Sequence, residues 1–374
     1  MIYFDNAATS FPKPSAAIEE ALACMRDYGG NAGRGSHRMA LAAAEKIYAC
    51  RELLSEFFGL HAPERIVFVS NTTHALNLAI KGLLRAGSHV LISELEHNAV
   101  RRPLAALEQR GKITFDLFPA VGLHSSEIVA GIRARITPCT AAVICTHASN
   151  ICSLSLPIRE IGALCRQHQI YFILDAAQSA GHLPIDMTRD CIDALAAPAH
   201  KGLLGIQGAG ILALGEGVCP TTLIEGGSGY QSISPYMPDE FPERYEAGTL
   251  PTPAIASLLG GMSFLRENGI ENLQSRVKTL FLSTRERVES LQGFEIYQKD
   301  TAGAVFLFNK RGVPSTVLAQ WLDKNGICAR AGLHCAPLAH NALGTPEGGA
   351  VRLGFGPFNT AAELDALWRV LKDF

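Results

Sequence analysis

Between residues 60 and 215, short apolar runs alternate with longer stretches whose apolar residues recur every three or four positions. The runs fall at 65–70 (RIVFVS), 89–93 (HVLIS), 112–118, 142–146, 170–174 and 210–214. Their lengths suit buried β-strands, and the intervening stretches of about 10–15 residues suit crossover helices. One such stretch, after Pro157, carries Ile158, Ile161 and Leu164 at helical spacing. This alternation predicts a mostly parallel sheet covered by helices on both faces. Ahead of it, 36–58 reads as a helix with Ile47, Cys50, Leu54, Phe57 and Phe58 on one side. Behind it, 226–245 is rich in Gly, Pro and Ser and reads as a long loop. Ile270, Leu273, Val277, Leu280, Phe281, Val288 and Leu291 then mark one long amphipathic helix. Strand candidates at 294–297 and 304–308 follow, then a helix from Ser315 stopped by Gly326. Thr360-Ala361-Ala362-Glu363 opens the last helix as a capping box. The order predicts an α/β protein. Its large domain spans 1–255, with an N-terminal segment able to join the small domain, and a smaller α+β domain spans 256–374.

Bulk properties narrow the classes. The 374 residues are 48% hydrophobic and 18% charged, enough for a substantial core and too apolar for disorder. Lys and Arg number 33 against 35 Asp and Glu, so there is no basic excess with which to neutralise nucleic-acid phosphates. No run approaches the roughly 20 apolar residues that cross a bilayer. The first six residues lack a signal-peptide pattern, and the expected compartment is the reducing cytoplasm. Of the ten cysteines, Cys139, Cys145 and Cys152 lie six and seven apart and no CxxC pair occurs, so no metal site is expected. The default for each cysteine is a small buried hydrophobe.

In open parallel sheets ligands bind beyond the carboxyl ends of the strands. After the first strand come Asn71-Thr72-Thr73, where hydroxyls at a helix start cap free N–H groups or hold a phosphate. After the second comes His97, after the fourth Asn150, and after the fifth Asp175 with Gln178 three residues on. Pro198-Ala199-His200-Lys201-Gly202 follows, and then a glycine-rich stretch. Each feature alone has an ordinary explanation: a cap, a structural histidine, a solvated cation. Together they assemble a pyridoxal phosphate (PLP) site from a phosphate cradle, a stacking imidazole, a carboxylate for the ring nitrogen and a Schiff-base lysine.

The motifs Asp175-Ala176-Ala177-Gln178, His200-Lys201, Glu246-Ala247-Gly248-Thr249 and Arg330-Ala331-Gly332-Leu333-His334-Cys335-Ala336 resemble the class V aminotransferase superfamily. Within it the chain resembles the PLP-dependent, fold type I cysteine desulfurases of the SufS-like group. The likeness extends from Phe4-Asp5-Asn6-Ala7-Ala8 to Arg352 and Phe358-Asn359-Thr360. It implies that Lys201 carries the cofactor and shuttles a proton, that Asp175 bonds the ring nitrogen, and that His97 stacks on the ring. Thr72, Thr73 and His200 would hold the phosphate, and Gln178 and Asn150 would sit near the phenolic oxygen and the substrate. Thr249 would reach the cofactor of a partner subunit, which implies a homodimer. Arg352 would grip the substrate carboxylate, with Arg330, Asn6 and His37 added to the substrate site. Arg34 and His37 match the family's N-terminal active-site stretch. Cys335 would take sulfur from L-cysteine as a persulfide, leaving L-alanine, and pass it to an acceptor protein. His334, Arg330 and His340 could favour its thiolate, and the glycines at 332, 344, 348 and 349 suggest a mobile segment. One position departs from the pattern: Pro198 stands where the family usually has a phosphate-binding Ser or Thr.

Other readings remain open at this point. They are a selenocysteine lyase that also accepts L-selenocysteine, another class V reaction such as transamination or epimerisation, and a non-catalytic PLP-fold scaffold. Arg101-Arg102, Trp321 and His61, His89, His124, His168 and His182 read as framework or surface.

Overall fold

The computed structural model describes residues 1–33, 35–297, 301 and 303–374. Arg34, one of the candidate site residues, lies outside the described residues. The chain begins with β1 (Ile2–Tyr3), α1 (Ser15–Asp27) and α2 (Arg38–Phe57). The alternating block follows as β2 (Ile66–Val69), α3 (Thr72–Leu83), β3 (Ser88–Ser93), α4 (Asn98–Gln109), β4 (Ile113–Phe118) and α5 (Ser125–Arg133). It continues through β5 (Thr140–Thr146), α6 (Ile158–His168), β6 (Tyr171–Asp175), β7 (Ala194–Pro198) and β8 (Gly210–Leu214). Then come α7 (Thr252–Asn268), α8 (Ile270–Glu289), β9 (Phe294–Tyr297), β10 (Val305–Lys310), α9 (Ser315–Lys324), β11 (Ile327–Cys328) and β12 (Arg330–Gly332). The chain closes with α10 (Pro337–Ala342), β13 (Ala350–Gly354) and α11 (Ala361–Lys372).

Seven strands form the central sheet in the order β2-β8-β7-β6-β5-β3-β4, and only β8 runs against the others. Val67 and Val69 face one apolar core and Ile66 and Phe68 the other, so both faces are covered. This is the architecture that the alternation predicts. Strand β7 was not among the predicted runs. Its sequence, Ala-Leu-Ala-Ala-Pro, is poor in the branched and aromatic residues that mark strands, yet it is buried throughout between β6 and β8.

A second sheet, β12-β13-β10-β9, is antiparallel. With α8, α9 and α11 it encloses a core that includes Phe281, Phe306, Phe308, Leu322 and Leu367. The N-terminal segment joins this part: β1 pairs with β11, and Phe4 is buried in the same core. Helix α7 gave no amphipathic signal because it is buried on most sides, packing on α1 and α2 within the first core. A Cβ on its Gly261 would meet the Leu203 carbonyl oxygen at 2.3 Å, so this glycine lets the helix lie against the loop that follows Lys201. The expected boundary after residue 255 falls inside this helix.

Candidate active site

Five central strands end at one cleft of about 560 Å³. Beyond β2, Asn71 caps α3 by accepting the His74 N–H at 3.0 Å, worth about 1 kcal/mol, and Thr72 and Thr73 open the helix at the cleft wall. β3 delivers His97, β5 Asn150, β6 Asp175 with Gln178 behind it, and β7 His200 and Lys201. Eight predicted residues therefore meet: Thr72, Thr73, His97, Asn150, Asp175, Gln178, His200 and Lys201. Pro198, the last residue of β7, lines the same wall and brings neither hydroxyl nor N–H.

The electrostatics follow from burial. Lys201 is pushed down to about 8 by desolvation, opposed by the nearby Asp175 charge. Asp175 is raised by burial, while the Ala177 N–H, donating to Oδ1 at 2.9 Å, and Lys201 favour its ionised form. His97 caps α4, its Nδ1 accepting the Ala99 N–H at 3.0 Å, so a proton sits on Nε2. Burial, then Lys201, lowers it to about 4. Beneath the cleft Glu96 is fully buried; its Oε1 accepts from Ser93 Oγ and, at 2.9 Å, from the Thr146 N–H. Burial raises this carboxyl to about 8. Two buried atoms of residues lining the cleft, Thr72 Oγ1 and His200 Nδ1, have no hydrogen-bond partner among the described residues.

The second part of the site arrives from the other sheet. Arg352, in β13, is buried and donates to Asn150 O at 3.1 Å and to Asp5 Oδ1 at 3.1 Å. Arg330 bonds Asp5 Oδ2 at 2.8 Å, so one carboxylate holds both arginines. Asp5 was not among the predicted site residues; its only signal was its place in the Phe4–Ala8 motif. Cys335 is exposed, and it and His334 both adopt left-handed backbone, at φ 57 and 49. Their segment is docked on the cleft: the Asn98 N–H donates to Cys335 O at 2.7 Å, and Asn150 Nδ2 donates to His334 O at 2.8 Å. The glycine-rich composition suggested mobility, but these bonds fasten the segment.

His334 and His340 form a bonded pair, Nδ1 to Nε2 at 3.2 Å, and burial lowers them to about 3 and about 4. Burial thus disfavours the imidazolium form of both rings, which weakens their part in the expected support for a Cys335 thiolate. Three predicted residues stand apart from the cleft. Asn6 spends its amide on the framework, donating to Gly354 O at 3.0 Å and Asn359 Oδ1 at 3.2 Å and accepting the Phe11 N–H. His37 caps α2, and Thr249 is exposed. All ten cysteines are free, but Cys139 and Cys219 are exposed, so packing does not account for every one besides Cys335.

The family model for "Aminotransferase class-V" matches residues 2–367. The chain belongs to the class-V aminotransferase family. Among curated members, a probable cysteine desulfurase of Methanothermobacter thermautotrophicus is 30% identical over 381 residues, covering 100% of this chain and 94% of the relative. A probable cysteine desulfurase of Pyrococcus abyssi is 28% identical over the same shares. The apo structure of a cysteine desulfurase from Thermococcus onnurineus superposes with a TM-score of 0.90 at 27% identity, covering 100% of this chain and 94% of that one. This class-V member thus matches over its whole length proteins named as cysteine desulfurases.

Proposed function

We propose that the protein is a PLP-dependent cysteine desulfurase that converts L-cysteine to L-alanine and takes the sulfur onto Cys335 as a persulfide. The observation that carries this reading is the docking of the Cys335 segment, through Asn98 and Asn150, onto the loops that line the lysine cleft. The SufS-like assignment rests on the R-x-G-x-H-C-A segment at 330–336.

The residues present fit the cofactor. The N-terminus of α3 offers free N–H groups, and the unsatisfied Thr72 Oγ1 and His200 Nδ1 suit a phosphate that Pro198 cannot contact. Asp175 would hold a proton on the ring nitrogen, and His97 would cover the ring. Lys201 Nζ, whose lowered affinity for protons leaves much of it neutral near pH 8, would anchor the cofactor's aldehyde and move the substrate's α-proton. When bound, PLP supplies the electron sink that makes the bonds at the substrate's α- and β-carbons labile. Arg352, held by Asp5 and Asn150, would orient the substrate carboxylate. The Cys335 thiolate would then form a bond to the substrate sulfur as the carbon–sulfur bond breaks.

A homodimer would complete the site. Thr249 is exposed outside the cleft and would face a partner's phosphate; Ile18, Leu22 and Met25 of α1 and Met39, Leu41 and Tyr48 of α2 leave apolar surface uncovered. We place the division between the two domains at Gly269, between α7 and α8, rather than after 255. Incubating PLP-loaded protein with L-cysteine and quantifying alanine tests the reading. Alanine with wild type and none with Cys335→Ser is the expected result. Alanine formed equally by both would remove Cys335 as the sulfur acceptor, cysteine consumed without alanine points to a different class V reaction, and turnover confined to L-selenocysteine points to a lyase.

A further inference from the structure

Between β5 and α6 the chain makes a short excursion, residues 147–155, closed by a bridge between Ala148 and Ser155. The Ser149 N–H donates to Leu154 O at 2.9 Å and ties its arms together. Near its tip Ser153 holds a left-handed φ of 56. Its hydroxyl donates to Val305 O at 2.8 Å and accepts the Val305 N–H at 2.8 Å. Val305 opens β10, two residues before Leu307, which pairs with Tyr297 of β9. Ser153 thus satisfies both backbone groups of Val305 on that edge of the strand. Gly303 passes close enough that a Cβ there would meet Ser153 Oγ at 2.8 Å and Cβ at 2.9 Å. Thr301 Oγ1 also donates to Cys152 O at 2.7 Å.

Two residues along, Leu307 of β10 pairs with Arg352 of β13. The other arm of the same excursion carries Asn150, which receives Arg352 Nη1 on its carbonyl and bonds His334 O through Nδ2. One hairpin rooted in the central sheet thus grips the second sheet at Val305, at Arg352 and beside Cys335. We propose that Ser153 is a positioning residue: by clamping Val305 it sets the β10–β13 pair, and with it Arg352 and the Cys335 segment, against the lysine cleft. Ser153 touches no reacting group in this role, and its kinetic consequences rest on the desulfurase reading.

Two variants attack the clamp from opposite sides. Ser153→Gly removes the hydroxyl and relieves the left-handed backbone, while Gly303→Ala keeps the hydroxyl and drives β10 off it. The first readout is the alkylation rate of Cys335 by iodoacetamide in PLP-loaded protein without substrate, followed by peptide mass. Cys139 and Cys219, both exposed elsewhere, serve as reference thiols. In both variants Cys335 should react roughly threefold faster relative to the references as the docked segment opens. The second readout is the kinetics with L-cysteine: KM should rise roughly fivefold, the scale of one lost hydrogen bond, with kcat within about twofold. An unchanged Cys335 ratio in both variants, or acceleration of all three thiols together, overturns the proposal. If wild type forms no alanine the desulfurase reading fails, and the alkylation ratio still decides the clamp.

Discussion

The lysine cleft and the cysteine segment are built differently, although they meet in one site. Around Lys201 each side chain leaves the carboxyl end of a strand in a single sheet, so the pairing register of buried strands fixes the spacing. Around Cys335 the segment follows an edge strand of the second sheet and owes its place to a few hydrogen bonds, donated by Asn98 and Asn150 and accepted by Asp5 from Arg330. The first end is rigid by construction and the second by attachment. The N-terminal segment links them: Asp5 holds Arg352 and Arg330, while Lys13 Nζ donates to His200 O at 2.8 Å, next to Lys201.

Substitutions should therefore separate the two ends. On the proposed reading one amine would both anchor the cofactor and move protons, so Lys201→Ala is expected to lower turnover by roughly a thousandfold or more and to abolish the visible absorbance of bound cofactor. Cys335→Ala should lower alanine formation by a comparable factor while the cofactor spectrum stays as in wild type. A spectrum lost with Cys335 would show that the ends are not separable. Asp5→Asn weakens the hold on a buried arginine; KM for L-cysteine should rise roughly tenfold and thermal stability should drop, with charge-assisted bonds of about 1.5–3 kcal/mol at stake. An unchanged KM would assign Asp5 to the framework alone.

Acid should act on both ends at once. His97 and His200 at the cleft are lowered to about 4, and His334 and His340 at the cysteine end to about 3 and about 4, from 6.5. Below 6.5 the unfolded chain binds protons that the folded one refuses, so stability present above 6.5 drains away as pH falls toward 4. Glu96, raised from 4.5 to about 8, runs the other way: its contribution is full below 4.5 and lost by 8. His147 and His182 are also lowered to about 4, and His74 is lowered too. These seven imidazoles outnumber the four raised carboxyls, Glu96, Asp175, Asp193 and Glu246, so the urea midpoint should fall between pH 6.5 and 4.5. A flat midpoint would contradict the buried neutral histidines. The smallest effect expected is Asn71→Ala, about 1 kcal/mol of stability from the lost cap of α3, read as a lower urea midpoint.

The same contrast explains what could be read along the chain. The cleft was legible because its residues sit just beyond apolar runs, and strand ends leave them little freedom of place. Asp5 was not, because its partners Arg330 and Arg352 are more than three hundred residues away and no local pattern announces such a contact. Strand β7 and helix α7 escaped notice for opposite reasons. One lacks the residues that favour strands, and the other has no polar stripe to reveal its period. Glycines around Cys335 suggested motion, but composition cannot register the Asn98 and Asn150 bonds that dock the segment.

The most direct test of the central claim is the mass of the Cys335 peptide after PLP-loaded protein meets L-cysteine in the absence of reductant. The account predicts a peptide one sulfur heavier, formed with stoichiometric alanine and reverted by a thiol reductant. Alanine formed while Cys335 stays unmodified, or no alanine at all, would contradict it.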